Sequence, residues 1–387
     1  MHLSQKHRVV HHTMSPAISP SAKKTTSDIE TESRYQKGVK HLHENGIEKV
    51  PEKYILPIPD RPNTKKEAHS DRTNIKLPVL DFAELQGPNR SQVLNALTDA
   101  CEQYGFFQVV NHGIPKDVVN NMIGLCKSFF ELPFEERAKY MSPNLRAPAR
   151  YGTSFNQNKD GVFYWRDFLK VVCHPLPDEH CHWPTSPGDL RKQATAYSKE
   201  TRNLFLMLME AILESLGLTN KEMNVTEEKD VLQEFKDGSQ IMVANCYPPC
   251  PEPDLTLGMP PHSDYGFLTL LYQDEVKGLQ IQYEGKWLTV EPIPNAFVVN
   301  IGDHLEIFSN GRYRSVLHRV LVNSERARVT LASLHSLPFE HKIQPSPKLI
   351  NEDNPRRYKE TSFAKFLEYI SSCEPKKKEF LESIRLR

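Results

Sequence analysis

The sequence predicts a mainly β fold with flanking helices. Between about residues 240 and 339, short apolar segments alternate with turn residues at a spacing of roughly eight to twelve residues, which is typical of an all-β sandwich or barrel. On either side of this region, apolar residues recur every three to four positions, which indicates amphipathic helices. A jelly-roll barrel has an interior wide enough to hold a ligand between its sheets.

The composition describes a water-soluble globular chain without an unusual partner. Of 387 residues, 38% are hydrophobic and 25% are charged. The 49 basic and 49 acidic residues give zero net charge, which argues against nucleic acid or an anionic membrane as the main partner. No uninterrupted apolar run reaches the roughly eighteen residues of a membrane span. The seven cysteines, without a Cys-x-x-Cys pair, indicate reduced thiols in a cytosolic protein.

The region before the β core is predicted to be helical and mixed, over residues 35–238. Residues 1–34 are rich in Ser, Thr and Lys and are predicted to form a disordered extension; their composition also allows a transit peptide, but a clear amphipathic arginine pattern is lacking. Apolar spacing predicts a short helix ending at Gly46 and longer helices over 91–104, 116–130 and 198–216. Strands are predicted over 75–81 and 105–110. His112, in an Asn-His-Gly turn, is predicted to be structural.

Residues 141–190 carry many aromatic side chains without clear periodicity. Such a segment is either functional or disordered, and its aromatics argue against disorder. It is predicted either to fold over the pocket or to pack against the barrel. Residues 239–345 are predicted to form the β core, and residues 346–387 a C-terminal helical segment with a helix over 362–370.

Three residues in the β core have the pattern of a metal site. His262 and Asp264 are two apart on a predicted strand, so their side chains point the same way. His318 lies in the apolar run 315–322, which is predicted to be a buried strand. Two histidines and one carboxylate are the ligand set of non-haem iron(II) centres that leave open positions on the metal.

A third strand adds a candidate carboxylate-binding pair. Arg328 and Thr330 are again two residues apart, so a guanidinium and a hydroxyl share one face, and the guanidinium can donate two parallel hydrogen bonds to a carboxylate. Each pattern alone is weak: a lone His-x-Asp is more often a surface feature, and a histidine among valines is more often a core residue. The order of the patterns on successive predicted strands makes the combined signal strong.

The motifs resemble those of the plant iron(II)/2-oxoglutarate-dependent dioxygenases, and within them the specialised-metabolism branch of flavanone hydroxylase-like, anthocyanidin synthase-like and lateral-branching-oxidoreductase-like enzymes. The resemblance runs from about Tyr35 to about Leu381, and it implies a double-stranded β-helix (jelly-roll) core. It rests on the stretches Asn245-Cys-Tyr-Pro-Pro-Cys-Pro251, Pro261-His-Ser-Asp-Tyr-Gly-Phe-Leu-Thr-Leu-Leu271, Phe297-Val-Val-Asn-Ile-Gly-Asp303, Ser309-Asn-Gly311 and His318-Arg319.

The resemblance assigns roles to these residues. It implies that His262, Asp264 and His318 bind Fe(II), and that the distal carboxylate of 2-oxoglutarate reaches Arg328 and Thr330. By the same resemblance Tyr247 hydrogen-bonds this carboxylate, and Asn245 is a nearby polar position. Family members usually have Arg-x-Ser, whereas this chain has Thr330, which keeps the hydroxyl and adds a β-methyl group that restricts χ1. We expect 2-oxoglutarate still to bind, with equal or lower affinity.

The resemblance also implies the reaction. Oxidative decarboxylation of 2-oxoglutarate by O2 at the iron would yield succinate and CO2, and the iron centre oxidised in that step would remove a hydrogen atom from a substrate, with ascorbate as reductant. Hydroxylation, desaturation and O-demethylation all remain open, for a substrate that is flavonoid, coumarin, terpenoid or hormone-related. Leu334 replaces a phenylalanine that flavonoid enzymes often carry, which weakens the flavonoid hypothesis. The residues predicted to contact the substrate are Tyr151, Phe163, Phe267, Leu334 and His335.

Two other functions stay open at this point. One is an oxidase resembling the ethylene-forming group, which does not consume 2-oxoglutarate. The other is a catalytically idle barrel that binds a small molecule or a protein. The chain is predicted to be a monomer in the cytoplasm, with access to the nucleus open.

Overall fold

The computed structural model describes residues 37–62, 76–154, 160–175, 182–218, 231–372 and 378–386. The predicted extension over residues 1–34 lies outside this part. The described residues form two sheets of eight and four strands with helices around them, which is a jelly-roll core. The predicted fold class is thereby confirmed.

The strands are β1 Val79–Asp81, β2 Phe106–Val110, β3 Ala149–Thr153, β4 Asp167–His174, β5 Ser239–Tyr247, β6 Met259–His262, β7 Leu268–Gln273, β8 Leu279–Tyr283, β9 Lys286–Thr289, β10 Phe297–Ile301, β11 His318–Val320 and β12 Arg328–Ser336. The eight-stranded sheet has the order β1-β2-β10-β7-β12-β5-β4-β3, and the four-stranded sheet has the order β6-β11-β8-β9. Apart from the parallel pair of β1 and β2, neighbouring strands are antiparallel.

Helices cover the outer face of the larger sheet. The longest, α5 (Leu190–Ser215), buries one face through leucines and an isoleucine four residues apart, including Leu204, Leu208 and Ile212. Together with α3 (Lys116–Phe130) it packs against β5 and β12, and this layer contains most of the buried apolar side chains. The helices are α1 Val39–Glu44, α2 Arg90–Asp99, α3 Lys116–Phe130, α4 Phe134–Ala138, α5 Leu190–Ser215, α6 Val231–Lys236, α7 Asp303–Phe308, α8 Phe363–Ser372 and α9 Glu379–Ser383. Among described residues, no helix combines the length and apolarity that crossing a membrane requires.

The chain before residue 239 shares the core of the larger sheet. Strands β1 and β2 extend it at one edge, and β4 and β3 extend it at the other. His112 is buried, faces the Asn295 carbonyl at 3.0 Å through Nε2 and accepts from the Ile114 N–H through Nδ1, which confirms a structural role. The region predicted over 35–238 therefore completes the barrel.

Strands β3 and β4 lie in the aromatic segment for which the sequence showed no periodicity. Along β4, Phe168, Lys170 and Val172 border the interior of the barrel, while Leu169, Val171 and Cys173 belong to the core on the opposite face. Because both faces are covered, polar and apolar residues do not alternate, and the usual pattern of a half-exposed strand is lost. The segment packs against the barrel and also lines its interior.

Two glycines allow the loop after β6 to approach the start of α7. A Cβ on Gly302 would lie 2.0 Å from the Gly266 carbonyl oxygen, and a Cβ on Gly266 would lie 2.6 Å from the His335 carbonyl oxygen. The Gly302 N–H donates to the Phe267 carbonyl at 2.9 Å, and the Asp303 N–H donates to the Asp264 carbonyl at 2.8 Å. The loop that carries Asp264 is thus held against α7 by backbone contacts with no room for a side chain.

We predict that Gly302→Ala lowers the free energy of unfolding by about 1–3 kcal/mol, because the added methyl group forces backbone apart in a packed region. Thermal and urea unfolding of the purified protein measure the change. Gly124→Ala is the matched control: it lies within α3, a Cβ added there would have no neighbour within 4 Å, and alanine favours a helix by up to about 1 kcal/mol. Equal stability of the two variants would contradict the close approach.

Candidate active site

The two histidines of the predicted triad face each other across a pair of strands. His262 is the last residue of β6 and His318 is the first of β11, and the antiparallel register places them directly opposite each other. Directly opposed residues project to the same side of a sheet. The centroids of the two imidazole rings are 4.1 Å apart, so the smaller sheet brings both rings to one point.

Asp264 completes the cluster from the loop after β6. The sequence predicted that it lies on the same strand as His262, but that strand ends at His262, so this part of the prediction is wrong. The loop nevertheless aims its carboxylate at the histidines: Asp264 Oδ1 is 3.7 Å from Nε2 of His262 and 3.7 Å from Nε2 of His318. One ligand atom from each residue lies within 4.8 Å of the others.

Backbone carbonyls orient the imidazoles for metal binding. His262 Nδ1 is 2.8 Å from the Pro260 carbonyl, and His318 Nδ1 is 3.3 Å from the Val316 carbonyl. An Nδ1–H that donates to a carbonyl leaves the Nε2 lone pair free, and Nε2 is the atom that faces the cluster in both residues. Burial, and next the neighbouring His318, lower the pKa of His262 to about 3, so this ring is neutral at physiological pH.

A cross-strand pair that sequence reasoning missed holds Asp264 in place. Thr269 on β7 and Asn300 on β10 are opposite each other, and both donate to Asp264 Oδ2, at 2.6 Å and 2.8 Å. Burial opposes ionisation of Asp264, but His318, His262 and these two hydrogen bonds lower its pKa overall. With Oδ2 occupied, Oδ1 is left for the metal side. The signal in the sequence was Thr269 among the leucines at the start of β7 and Asn300 in the otherwise apolar β10.

This donor set fits Fe(II). Two imidazole nitrogens and one carboxylate oxygen converge from one side, which suits an octahedral metal with open positions. All three residues border a cavity of about 490 Å³ between the two sheets, so the remaining positions face space in which ligands can bind.

The predicted 2-oxoglutarate residues form two cross-strand pairs in the same cavity. Arg328 on β12 lies opposite Tyr247 on β5, and Thr330 lies opposite Asn245. Asn245 Nδ2 donates to Thr330 Oγ1 at 3.3 Å, and the Arg328 guanidinium lies 5.3 Å from the centroid of the Tyr247 ring. The four side chains are buried, with 1–5% of their surface exposed.

A buried nitrogen of Arg328 without a hydrogen-bond partner shows that these four side chains can bind an anion. Arg328 Nε donates to the Val276 carbonyl and Nη2 donates to Gln273 Oε1, both at 3.0 Å, whereas the buried Nη1 has no hydrogen-bond partner. Burial lowers the pKa of Arg328, and the nearby Tyr247 and Asp274 partly offset this decrease. A guanidinium nevertheless stays charged at neutral pH. Within the described ranges Arg328 forms no salt bridge. A buried cation of this kind requires a charged partner, which a ligand carboxylate supplies.

Comparison with known proteins also indicates an oxygenase that uses Fe(II) and 2-oxoglutarate. The family model described as "2OG-Fe(II) oxygenase superfamily" matches residues 238–336, and that described as "non-haem dioxygenase in morphine synthesis N-terminal" matches residues 77–188. Protein DMR6-LIKE OXYGENASE 2 of Arabidopsis thaliana is 39% identical over 324 residues, covering 83% of this chain and 90% of that protein. The chain belongs to the 2OG-Fe(II) oxygenase superfamily.

Two further relatives support this oxygenase assignment. Flavanone 3-dioxygenase 2 of Oryza sativa subsp. japonica is 40% identical over 318 residues, covering 82% of this chain and 89% of that protein. The crystal structure of JOX2 in complex with 2OG, Fe and JA has 31% identity and a TM-score of 0.79, covering 90% of this chain and 98% of that one. The predictions of an oxidoreductase that uses Fe(II) and 2-oxoglutarate are confirmed.

The oxygenase places only part of the predicted substrate set at its cavity. Leu334 on β12 borders the cavity, on the same face as Thr330 and Ala332. His335, the next residue, projects to the opposite face, where its ring stacks on Phe205 of α5 at 4.4 Å and lies 2.9 Å from Ser333 Oγ. His335 borders the cavity, but its ring lies on the opposite face of the strand, which corrects the expectation that this side chain contacts the substrate.

The three predicted aromatic contacts lie outside the cavity lining. Tyr151 is in the core, where its hydroxyl donates to Asp167 Oδ2 at 2.8 Å; on β3 it is Arg150, one residue earlier, that lines the cavity. Phe163 packs in a separate cluster with Tyr54. Phe267 is fully buried behind the larger sheet. A shift of one residue along a strand moves a side chain to the other face of the sheet, and the sequence did not determine which residues of a strand face the cavity.

We predict that Thr269→Val weakens Fe(II) binding by about 10- to 100-fold, because valine keeps the shape of threonine but cannot donate to Asp264 Oδ2. Anaerobic titration of the metal-free protein with Fe(II) measures the affinity. The control is Thr195→Val on α5, where an exposed hydroxyl donates only to the Arg191 carbonyl. If Thr269→Val binds Fe(II) as tightly as the control does, Thr269 has no part in orienting the carboxylate.

Proposed function

We propose that this oxygenase oxidises one C–H bond of a small organic plant metabolite at a centre formed by His262, Asp264 and His318. The observation that carries the proposal is the convergence of Asp264 Oδ1 and two Nε2 atoms at the wall of a cavity that also holds Arg328, whose buried Nη1 has no hydrogen-bond partner. Hydroxylation, desaturation and O-demethylation all begin with removal of one hydrogen atom, so this geometry serves each of them.

Each residue has a defined task in this proposal. Bound Fe(II) and 2-oxoglutarate activate O2 and supply the oxidising equivalents, with succinate and CO2 as products. The triad holds the metal by one face, and Thr269 and Asn300 keep the carboxylate of the triad oriented.

Arg328 neutralises the distal carboxylate of the co-substrate. The Arg328 Nη1 has no hydrogen-bond partner and can donate to this carboxylate. The Thr330 hydroxyl can donate as well, because its oxygen accepts from Asn245 and its own proton is not used in that bond. The Tyr247 hydroxyl adds a third donor from the adjacent strand. Leu334 and neighbouring apolar side chains of the cavity exclude water and position the substrate.

The contacts favour this function over the two alternatives. An oxidase that does not consume 2-oxoglutarate has no need for a buried arginine aimed at a carboxylate. A passive binding barrel has no need for three convergent metal ligands, each held by its own hydrogen bonds. Both features are present in this chain.

We further propose that the enzyme acts as a monomer in the cytoplasm. The zero net charge supports this, since it favours neither nucleic acid nor an anionic membrane surface. The cysteines that the structure describes, at positions 101, 126, 173, 246 and 250, are free and buried, which is consistent with a reducing compartment. Sedimentation of the purified chain and imaging of a tagged copy test the two parts separately.

We predict that purified protein with Fe(II), ascorbate and 2-oxoglutarate releases succinate when supplied with a plant metabolite extract, and that His318→Ala abolishes this release. Loss of one imidazole removes a third of the metal ligands while the apolar core stays intact. Succinate is quantified by mass spectrometry, together with any metabolite whose mass changes by one oxygen, two hydrogens or a methyl group. An unchanged circular dichroism spectrum controls for folding, and full activity of the variant would exclude His318 as a ligand.

We predict that Arg328→Lys raises the KM for 2-oxoglutarate by roughly 10- to 100-fold, because a lysine cannot replace the guanidinium fork at a buried carboxylate. Initial rates across a 2-oxoglutarate series give the KM. Arg312→Lys, an exposed arginine paired with Glu102, is the control and leaves the KM unchanged. Thr330→Ser in the same series tests whether the β-methyl group affects co-substrate affinity.

A further inference from the structure

Besides the exposed Arg146, one wall of the cavity carries three less exposed basic side chains that the proposed mechanism does not use. We call this group, Arg150 on β3, Arg166 before β4 and Lys170 on β4, the cationic wall; all three border the cavity. Arg150 and Arg166 are 5% and 6% exposed. Basic side chains at this depth are unusual, because burying a charge costs free energy unless a partner compensates it.

The register of the larger sheet places like charges next to each other. Arg150 on β3 is directly opposite Lys170 on β4, and the guanidinium groups of Arg150 and Arg166 both lie over the Phe168 ring, at 5.1 Å and 4.7 Å. Directly opposed like charges destabilise a sheet. Burial, and next Arg150, lower the pKa of Lys170 to about 8. Burial, and next Arg166, lower the pKa of Arg150 to about 10, so both groups remain charged at neutral pH while repelling each other.

The contacts of Arg150 and Lys170 do not neutralise them. Lys170 Nζ donates to the Leu145 carbonyl at 2.6 Å, and Arg150 Nε donates to the Ser142 carbonyl at 2.8 Å, both of which are neutral acceptors. Neither residue forms a salt bridge with the part of the chain that the structure describes. The nearby acids are too few to neutralise the cationic wall. Asp160 is buried, accepts from the Ser154 hydroxyl and acts to raise the pKa of both Arg150 and Arg166. Glu340 lies at the rim, 3.9 Å from Arg146.

Two members of the cationic wall, Arg150 and Lys170, are separate from the co-substrate group, whereas Arg166, two residues before Phe168, lies on the side of Tyr247. Across the larger sheet, Thr330, Asn245 and Phe168 form one row of paired residues, and Ala332, Val243, Lys170 and Arg150 form the row two residues further along. Arg328 lies on β12 two residues before Thr330, on the side of that first row that faces away from Lys170 and Arg150. The 2-oxoglutarate carboxylate that pairs with Arg328 therefore leaves Arg150 and Lys170 without an anion.

The remaining wall is apolar. Side chains of β5, β12 and α8 border the cavity opposite and beside the basic residues, among them Ile241, Val243, Leu334, Phe363, Leu367 and Ile370. A ligand that complements both surfaces has one anionic end and an apolar body, and the volume of about 490 Å³, shared with the co-substrate, limits it to a small molecule.

We propose that the substrate of this oxygenase is a small apolar carboxylic acid, whose carboxylate is bound by Arg150 and Lys170 while its apolar body lies against β5, β12 and α8. The proposal rests on the function proposed above. Arg150 keeps its two Nη groups for the carboxylate, since Nε is engaged with Ser142, and Lys170 adds a point charge from the adjacent strand. Arg166 contributes positive potential beside them. These residues determine specificity and do not take part in the oxidation.

Binding of a matched pair of probes tests the proposal without turnover. Trans-cinnamate and trans-cinnamamide have the same shape and differ in charge. Their dissociation constants are measured by calorimetry under anaerobic conditions, on the full chain loaded with Fe(II) and 2-oxoglutarate. We expect the acid to bind at least tenfold more tightly than the amide. We expect Lys170→Met and Arg150→Gln each to weaken binding of the acid by roughly tenfold and to leave binding of the amide unchanged. Lys127→Met, which removes an exposed lysine on α3, is the control.

Three results would overturn the proposal. One is equal affinity for acid and amide, including no binding of either. Another is an equal loss of both probes in the variants, which indicates a packing defect. The third is a raised KM for 2-oxoglutarate in Arg150→Gln or Lys170→Met, which assigns the cationic wall to the co-substrate.

Turnover on a divided extract separates this proposal from the proposed function. A plant metabolite extract is split by anion exchange into acidic and neutral small molecules, and each fraction is assayed for succinate release. Succinate from the acidic fraction supports both proposals. Succinate from the neutral fraction alone keeps the oxygenase function and overturns the carboxylic acid substrate. If neither fraction releases succinate while the acid probe still binds selectively, the proposed function fails and the anion site stands.

Discussion

The site depends on one oriented carboxylate. Asp264 lies in a loop, and loops do not by themselves fix a side chain, yet its Oδ1 is equally distant from both histidine Nε2 atoms. Two hydrogen bonds to Oδ2 from the Thr269–Asn300 pair of the larger sheet produce this geometry, and the histidines belong to the smaller sheet. The metal site therefore forms only when the two sheets close on each other, so folding of the barrel and assembly of the site are one event.

Charge organises the rest of the cavity. Arg328 lies on the larger sheet on one side of the row formed by Thr330, Asn245 and Phe168, and Arg150 and Lys170 of the cationic wall lie on the other side. Each requires an anion, and the proposed reaction supplies two: the co-substrate and an acidic substrate. Because the repulsion between Arg150 and Lys170 exists before any ligand arrives, binding of a carboxylate relieves an unfavourable interaction as well as forming hydrogen bonds. In the proposed function, specificity for a charged substrate comes from the sheet register.

Much of this site was predictable from the sequence, and the failures share a cause. The triad residues and Arg328 were predicted from residue spacing and Tyr247 from the family resemblance, and the structure brings them together in one cavity, although Asp264 lies in a loop. Tyr151 and His335 were assigned to the substrate, but each is one residue out of phase with the side chain that lines the cavity, Arg150 and Leu334. The strands that carry them are covered on both faces, so hydrophobic alternation did not show which face is which.

The sequence by itself determined the fold class, the helices over 116–130 and about 362–370, and which residues could bind a metal and a carboxylate, because these depend on local periodicity, on residue types and on motifs that resemble those of a known family. Only the tertiary structure decided what holds Asp264, where Phe163 and Phe267 lie, and that Arg150 and Lys170 meet at the cavity. Those facts depend on pairing between strands that are distant in the chain, such as β7 with β10 and β3 with β4. Long-range register is set by how the whole barrel packs, and no short stretch of sequence contains it.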